Sequence, residues 1–210
     1  MKKSEIKKFI NKYPRKDWYY YYDFDGISVR PELRKEKDCG YNNWKKISPI
    51  VNGLFEGISN PSVLDIGCNM GLYAFEMFKR GVSVTGVDIN IEHALFFKKY
   101  TKENHGIDFD ANFIKCDVTK NIIECDPIDV VSMFCVIYHL SPYHNYVIEN
   151  LPKHKYIVLQ GNLPRVTSKK RGKQRLAGID GMSDLLKRHG YSIDVYRFNK
   201  YTKPLVIGTK

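Results

Sequence analysis

Short apolar runs alternate with segments of helical composition along most of the chain. The central run, Ser62–Ile66, is apolar except for Asp65, as expected of a strand that is buried on both faces of a parallel sheet. The same pattern predicts further strands at 82–87, 111–116, 128–134 and 156–160, with helices between them at 72–80, 91–104 and 142–151. Repeated strand-helix-strand units of this kind predict an α/β fold with a doubly wound, mostly parallel sheet and right-handed crossovers.

The end of the chain departs from this alternation. After a predicted helix at 178–189, apolar residues at 191–198 and 204–208 indicate two strands joined by a short polar turn. Over so few residues the two strands must be antiparallel neighbours, and they bring the expected sheet to seven strands. The segment 161–177 before them is polar and basic, and a loop this long in a compact domain is usually functional or mobile.

Residues 1–60 are predicted to form an N-terminal extension, helical and aromatic, in front of a domain at 61–210. Residues 1–16 contain seven Lys or Arg and one Glu. Together with apolar residues at near-helical spacing, this composition predicts an amphipathic basic helix that ends before Pro14. We expect the helix to pack on the domain, with nucleic acid as the alternative partner.

The rest of the extension contains an aromatic cluster at 18–22, which leads into a turn at 23–27. The cluster has two interpretations of about equal weight. It forms an apolar lid or extra strand over the sheet edge, or it stacks on a base or an adenine ring. Residues 38–44 are predicted to form a loop and residues 45–58 a helix.

Composition and charge narrow the class of protein. The 210 residues are 43% hydrophobic, which is enough for a substantial core. No apolar run approaches the roughly 20 residues that span a bilayer, and no apolar signal core follows the Lys-rich N-terminus, so we expect a cytoplasmic protein without membrane contact. The net charge of +11 favours an anionic partner, either RNA or a small phosphorylated or carboxylated molecule.

The five cysteines are odd in number, widely spaced and never arranged as C-x-x-C. Neither a disulfide framework nor a zinc site is therefore indicated. Cys68, Cys116 and Cys135 lie in or beside predicted strands, and we expect them to be small buried hydrophobic residues.

Three carboxylates stand at the carboxyl ends of three successive predicted strands: Asp65, Asp88 and Asp117. In an open parallel sheet these ends converge on one crevice, so the three residues are expected to face a common ligand. A carboxylate after the second strand is suited to bidentate contact with a ribose diol, in a dinucleotide or in an adenosine cofactor.

The turn after the first strand distinguishes between these two ligands. A dinucleotide requires G-x-G-x-x-G, and the corresponding positions here are Gly67, Asn69 and Leu72, so two of the three glycines are absent. Asp65 would also repel a pyrophosphate at this turn. A carboxylate at that position suits a cationic group instead, such as the ammonium of an amino acid.

These residues resemble the class I S-adenosylmethionine (SAM) dependent methyltransferases. The resemblance lies in VLDIGCNMG, in GVDIN and in KCDV, and it extends to the terminal antiparallel pair. It implies that SAM is the cofactor, with the methionine ammonium near Asp65, the ribose hydroxyls on Asp88 and the adenine by Asp117. The full set of cofactor-binding residues that it implies is Asp65, Gly67, Asn69, Gly71, Asp88, Ile89, Asp117, Val118 and Met133.

A narrower resemblance begins in IDVVSMFCVIYHLSP. This segment is similar to the branch of the family that transfers a carboxymethyl or methyl group to the wobble 5-hydroxyuridine of tRNA. Members that transfer the carboxymethyl group carry two lysines and a tryptophan around the carboxylated cofactor, and this chain has Tyr19, Leu33 and Asn43 there. A closed site without those cations would leave the cofactor carboxylate unpaired, so ordinary SAM is expected.

Candidate catalytic residues follow the fourth strand, where acceptors enter in this family. His139 is a candidate general base next to Tyr138, and equally a helix-start residue bonded to backbone; His144 is a weaker candidate. The D/N-P-P-Y/F motif of adenine-type amine methyltransferases is absent, which favours an oxygen acceptor. Substrate phosphate or carboxylate is expected on basic residues of the long loop, namely Arg165, Arg171 and Arg175.

Three functional hypotheses remain open from the sequence. The first is a SAM-dependent O-methyltransferase that acts on tRNA or other RNA. The second is a SAM-dependent O-methyltransferase for a small or glycan-linked anionic acceptor. The third is a non-catalytic nucleic-acid-binding protein that has kept the fold, and the intact set of cofactor residues counts against it.

Overall fold

The computed structural model describes residues 1–13, 22–29, 40–161, 178–198 and 203–210, with the backbone alone at 40–43. Its helices are α1 Lys3–Lys12, α2 Gly40–Gly53, α3 Leu72–Phe78, α4 Glu92–His105, α5 His144–Glu149 and α6 Ile179–Arg188, with a 3₁₀ turn at Ile137–His139. Its strands are β1 Tyr22–Phe24, β2 Ile27–Val29, β3 Ser62–Ile66, β4 Ser83–Asp88, β5 Ala111–Lys115, β6 Ile128–Phe134, β7 His154–Gln160, β8 Ser192–Tyr196 and β9 Leu205–Thr209.

Seven strands form the main sheet, in the order β5-β4-β3-β6-β7-β9-β8. The pairs β3–β4, β3–β6, β4–β5 and β6–β7 are parallel, and β9 is antiparallel to both β7 and β8. The predicted fold class is therefore confirmed. The chain order reverses between β3 and β6, and ligands of open α/β sheets bind at such a switch point, outside the carboxyl ends of the strands.

Both faces of the sheet are buried, which is why its central strands are continuously apolar. Along β3, Val63 belongs to one hydrophobic cluster, whereas Leu64 and Ile66 belong to another, because successive side chains of a strand point to opposite faces. The strand β6, predicted at the observed residues, divides its side chains in the same way between the two clusters.

The N-terminal helix packs on the domain, as predicted. Phe9 of α1 stacks on Phe96 of α4 with ring centroids 3.8 Å apart, and Ile6 is fully buried. Lys12 forms an ion pair with Glu92 at 2.6 Å. The boundary between an extension and a main domain at residue 60 remains a prediction.

The last residue of the predicted aromatic cluster, Tyr22, begins a β-hairpin. Residues Tyr22–Phe24 and Ile27–Val29 form a two-stranded sheet of their own, and Phe24 packs edge-on against Tyr100 of α4 at 4.9 Å. The hairpin thus packs on α4. Residues 18–21 of the aromatic cluster lie outside the described residues.

The bounds predicted for the second helix were wrong, and one short helical turn was not predicted. The second helix spans Gly40–Gly53, so it begins inside the expected loop at 38–44 and ends before residue 58. The helix begins earlier than predicted because Trp44 is buried against Tyr73, with ring centroids 5.0 Å apart. Tertiary packing of this kind overrides local propensity. The 3₁₀ turn at Ile137–His139 was not predicted.

Among the described residues, no helix combines the length and apolar character that crossing a bilayer requires.

Candidate functional site

A cavity of about 630 Å³ opens at the carboxyl ends of β3, β4, β5 and β6, and its volume suits a small-molecule ligand. Seven of the predicted site residues line it: Gly67, Asn69, Asp88, Ile89, Asp117, Val118 and His139. The structure therefore brings together side chains that are up to 72 positions apart, from Gly67 to His139.

The turn after β3 forms the floor of this cavity. Gly67 has φ 75°, and its N–H donates to the carbonyl of Val87 at 2.7 Å. A Cβ at Gly67 would lie 2.6 Å from Cγ2 of Val136, so both the positive φ and the space require glycine. Asn69 also adopts a positive φ, of 50°. Gly71 begins α3 behind the cavity, where a Cβ would contact Phe113 at 3.0 Å.

Asp88 holds this turn against the end of β4. Its Oδ2 accepts a hydrogen bond from the N–H of Asn69 at 2.9 Å, and its Oδ1 accepts one from the N–H of Asn90 at 3.0 Å. Each carboxylate oxygen has further acceptor capacity, and the residue faces the cavity. The carboxylate is thus fixed in orientation and still able to accept bonds from a pair of hydroxyls.

Asp117 is held by its own loop. Its Oδ1 accepts bonds from the N–H and the hydroxyl of Thr119 at 3.1 and 2.6 Å, and Lys120 lies 2.8 Å from Oδ2. The bond from Lys120, followed by those from Thr119, lowers the pKa of Asp117 to about 2. The residue is therefore a carboxylate at any physiological pH and can accept a bond from an amino group.

Asp65 lies beneath the cavity and does not line it. Its side chain is buried, and Oδ1 accepts a hydrogen bond from the hydroxyl of Ser132 at 2.8 Å. Burial raises the pKa of Asp65 to about 7; the bond from Ser132 opposes this rise and the charge of Asp88 adds to it. Asp65, one of the three carboxylates at the strand ends, therefore has a pKa near neutral pH.

Apolar surface completes the part of the cavity beside Asp88 and Asp117. Ile89 is 67% exposed although it is a large hydrophobic residue, and it lines the cavity with Val118. Exposed apolar surface at a cavity rim suits contact with a planar ring. A fixed carboxylate for a diol, a second carboxylate and apolar walls together fit the adenosine part of SAM.

The other part of the cavity lies beyond β6. His139, at the end of the 3₁₀ turn, is exposed to the cavity, and its backbone N–H donates to the carbonyl of Val136 at 2.7 Å. Its ring lies 4.4 Å from that of Tyr138, between centroids. His139 thus ends a helical turn and does not begin one, and its role as a general base remains a prediction.

Four predicted residues are not brought to the cavity lining: Asp65, Gly71, Met133 and Tyr138. Met133 is fully buried in the hydrophobic core because it occupies the alternate face of β6 from Phe134, which does line the cavity. Their assigned roles remain predictions. The weaker candidate, His144, begins α5 and also lies outside the lining.

Several other predicted positions lie outside the described residues: Arg165, Arg171, Arg175, Tyr19 and Leu33. The side chain of Asn43 lies outside them as well.

Some lining residues were missed by the sequence. Cys116 and Cys135, expected to be buried, are partly exposed at the cavity because both follow the last residue of a strand; only Cys68 is buried as predicted. His93 arrives from the first turn of α4, and Lys203 from the residue pair before β9. Neither position carries a sequence signal, since each depends on how distant elements pack.

Comparison with known proteins relates this architecture to methyltransferases. The chain is 32% identical to the ubiquinone biosynthesis O-methyltransferase of Nitrosomonas europaea, over 32% of this chain and 35% of that protein. It is 34% identical to the tRNA U34 carboxymethyltransferase of Nautilia profundicola, over 46% of this chain and 30% of that protein. The chain thus matches about a third of the length of these curated relatives.

Solved structures share the fold. The N-terminal domain of EvdMO1, with S-adenosylhomocysteine (SAH) bound, superposes with a TM-score of 0.67 over 100% of this chain and 97% of that domain, at 15% identity. A family model described as a methyltransferase domain matches residues 59–192, which include every lining residue except Lys203. Since this match covers more than half of the chain and agrees with the sheet order and the cavity, the chain belongs to the methyltransferase-domain family.

Proposed function

We propose that the protein is a SAM-dependent methyltransferase that transfers a methyl group to an oxygen atom of a nucleotide in tRNA or another RNA. The observation that carries this proposal is that predicted cofactor and catalytic residues line one cavity from two sides of the switch point. Asp88 and Asp117 lie on the β4–β5 side of the switch point, and His139 lies on the β6 side. A donor and an acceptor can therefore occupy the two parts at once.

The residues on the β4–β5 side hold the cofactor in this proposal. Asp88 would accept hydrogen bonds from the two ribose hydroxyls, Asp117 would accept one from the amino group of adenine, and Ile89 and Val118 would contact its ring. Asp65 supplies negative charge below the methionine ammonium, and a nearby cation favours its ionised form. Bound SAM supplies an electrophilic methyl group on a sulfonium.

His139 accepts the proton of the acceptor hydroxyl. Its ring faces the cavity, and imidazole has the pKa range that general base catalysis near neutral pH requires. The protein otherwise contributes by orienting the reactants in line and by excluding water. We expect His139→Asn to lower kcat by about 10²–10⁴-fold, the usual contribution of a general base, with little change in SAH affinity.

RNA as the acceptor is supported by charge and by likeness. The net charge of +11 favours a polyanion. Exposed lysines cover the outer side of α1. The helix ends beside the cavity residue His93, whose ring lies 4.3 Å from that of Tyr13, between centroids. The tRNA-modifying relative adds support. A small anionic acceptor is the second candidate, and the ubiquinone-pathway relative favours it.

A labelling experiment tests the proposal. The protein is incubated with methyl-labelled SAM and either total tRNA or a small-molecule extract, and products are identified by mass spectrometry of digested nucleosides and of metabolites. We expect label in a nucleoside, released by ribonuclease, and none with Asp88→Ala. Label in small molecules alone would replace the first candidate by the second, and failure to bind SAM and SAH at millimolar concentration would refute both.

A further inference from the structure

Lys203 occupies the side of the cavity that is farthest from the two acidic residues. It precedes β9, whose first residues lie beside the carboxyl end of β7, since the N–H of Gly161 donates to the carbonyl of Pro204 at 3.0 Å. Lys203 lines the cavity from there. Asp88 and Asp117 end β4 and follow β5, on the opposite side of β3 and β6 in the strand order.

The ammonium of Lys203 contacts a cysteine side chain. Its Nζ lies 3.0 Å from Sγ of Cys135, and that thiol is within hydrogen-bond distance of Oε1 of Gln160 at 3.3 Å and of the carbonyl of Gly161 at 3.4 Å. No carboxylate of the described residues lies within 4.0 Å of Nζ. Cys135 itself adopts φ 62°, so the turn after β6 presents the thiol to Lys203.

A partly buried cation without an anion is costly unless a ligand supplies one. Among the described residues that line the cavity, Lys203 is the only Lys or Arg. Asp117 is paired with Lys120, so the charge across the cavity runs from negative at Asp88 to positive at Lys203. A ligand that is anionic at one end is oriented by this difference in charge, with its anion toward β7 and β9.

We propose that Lys203 binds an anionic group of the methyl acceptor, a phosphate or a carboxylate, and so orients the acceptor in the part of the cavity beyond β6. This inference rests on the proposed function, which assigns that part to the acceptor. A nucleotide acceptor offers a phosphate and a small aromatic acceptor offers a carboxylate. Lys203 recognises either through the same charge.

The thiol of Cys135 provides a readout that needs neither turnover nor the natural acceptor. Alkylation by iodoacetamide is followed at each cysteine by peptide mass spectrometry, in saturating SAH, with or without inorganic phosphate, uridine monophosphate or 4-hydroxybenzoate. We expect at least one of these anions to slow alkylation of Cys135 at least fivefold. The exposed Cys125, which lies outside the cavity lining, serves as the internal control.

Substitutions at Lys203 test whether the protection of Cys135 depends on the positive charge of Lys203. We expect Lys203→Met to abolish the protection and Lys203→Arg to retain it. The matched control is Lys155→Met, which removes an exposed lysine near the amino end of β7 and should leave the protection unchanged. Stronger protection by uridine monophosphate than by 4-hydroxybenzoate identifies a phosphate as the bound group, and the reverse identifies a carboxylate.

Three results would overturn the proposal. The first is equal protection in wild type and Lys203→Met, and the second is no protection by any anion in wild type. The third is a loss of SAH affinity of tenfold or more in Lys203→Met, measured by calorimetry, because Lys203 would then pair with the carboxylate of the cofactor. Failure of the proposed function has a different signature, since wild-type protein would then bind no SAH at all.

Discussion

The carboxylate of Asp88 serves two purposes at once. It accepts the N–H groups of Asn69 and Asn90, and it is proposed to bind the ribose hydroxyls. We expect Asp88→Ala to lower SAH affinity at least 100-fold, because both the ligand bonds and the anchored turn after β3 are lost. Calorimetry measures this. Asp110→Ala, at an exposed aspartate before β5, is the matched control, and a similar loss there would contradict the assignment.

The buried carboxyl of Asp65 makes stability depend on pH. Its folded-state pKa of about 7 lies above the ordinary value of 3.8, so between these pH values the folded state binds more protons than the unfolded state. The protonated carboxyl therefore stabilises the folded state at low pH, and this stabilisation is lost as pH rises through 7. Asp65→Asn removes it. We expect the free energy of unfolding of wild type, relative to Asp65→Asn, to fall by on the order of 3 kcal/mol from pH 5 to 8.

Urea denaturation at a series of pH values, without cofactor, measures this difference. For the control Asp126→Asn, at an exposed aspartate, the free energy of unfolding should change with pH as it does in wild type. Parallel curves for wild type and Asp65→Asn would mean that the carboxyl of Asp65 keeps an ordinary pKa in the folded protein.

At the scale of elements, the turn between β3 and α3 depends on glycine for two separate reasons. Gly67 has φ 75°, and a Cβ there would also lie 2.6 Å from the side chain of Val136. Gly57 has nearly the same φ, 74°, but open space around it. Substituting alanine at each position therefore separates the cost of the backbone conformation from the cost of the contact.

We expect Gly57→Ala to destabilise by about 1 kcal/mol, through its positive φ alone. Gly67→Ala should cost about 2–4 kcal/mol, because overpacking adds to the same backbone cost. Thermal or urea unfolding measures both. Val136→Ala in the Gly67→Ala background should recover part of the loss, and equal effects of the two single substitutions would contradict the contact with Val136.

Elements that form through local interactions were predicted correctly, whereas elements that depend on contacts between distant residues were not. β3 and β6 lie where the apolar runs placed them, since a strand buried on both faces is recognisable from its own residues. α2 begins earlier than expected because Trp44 packs on Tyr73. The β1–β2 hairpin packs on α4 through Phe24 and Tyr100, a contact between residues about 75 positions apart that no local pattern encodes.

At the scale of the whole molecule, the positive charge has a location that matters for RNA. α1 exposes Lys3, Lys7 and Lys8, and its last residues contact α4 beside His93 of the cavity. If RNA lies across α1 to reach the cavity, the logarithm of its binding constant should fall with the logarithm of salt concentration by about 0.7–0.9 per phosphate contact.

Replacing these three lysines by glutamine should reduce that slope by about two, as measured by a salt titration of tRNA binding. The control replaces three exposed lysines distant from α1, at Lys153, Lys155 and Lys187, which changes the net charge by the same amount. If both triple variants reduce the slope equally, the binding is a property of net charge and α1 is not a docking surface.

The sequence by itself determined the order of strands and helices, the fold family and the carboxylates at the strand ends, because each depends on local periodicity or on residues within one strand and turn. Tertiary structure alone decided what these groups face. Ser132 reaches Asp65 across 67 residues, and Lys203 reaches Cys135 across 68. Hydrophobic patterning specifies which face of an element is buried, but the cavity is formed by which elements then become neighbours.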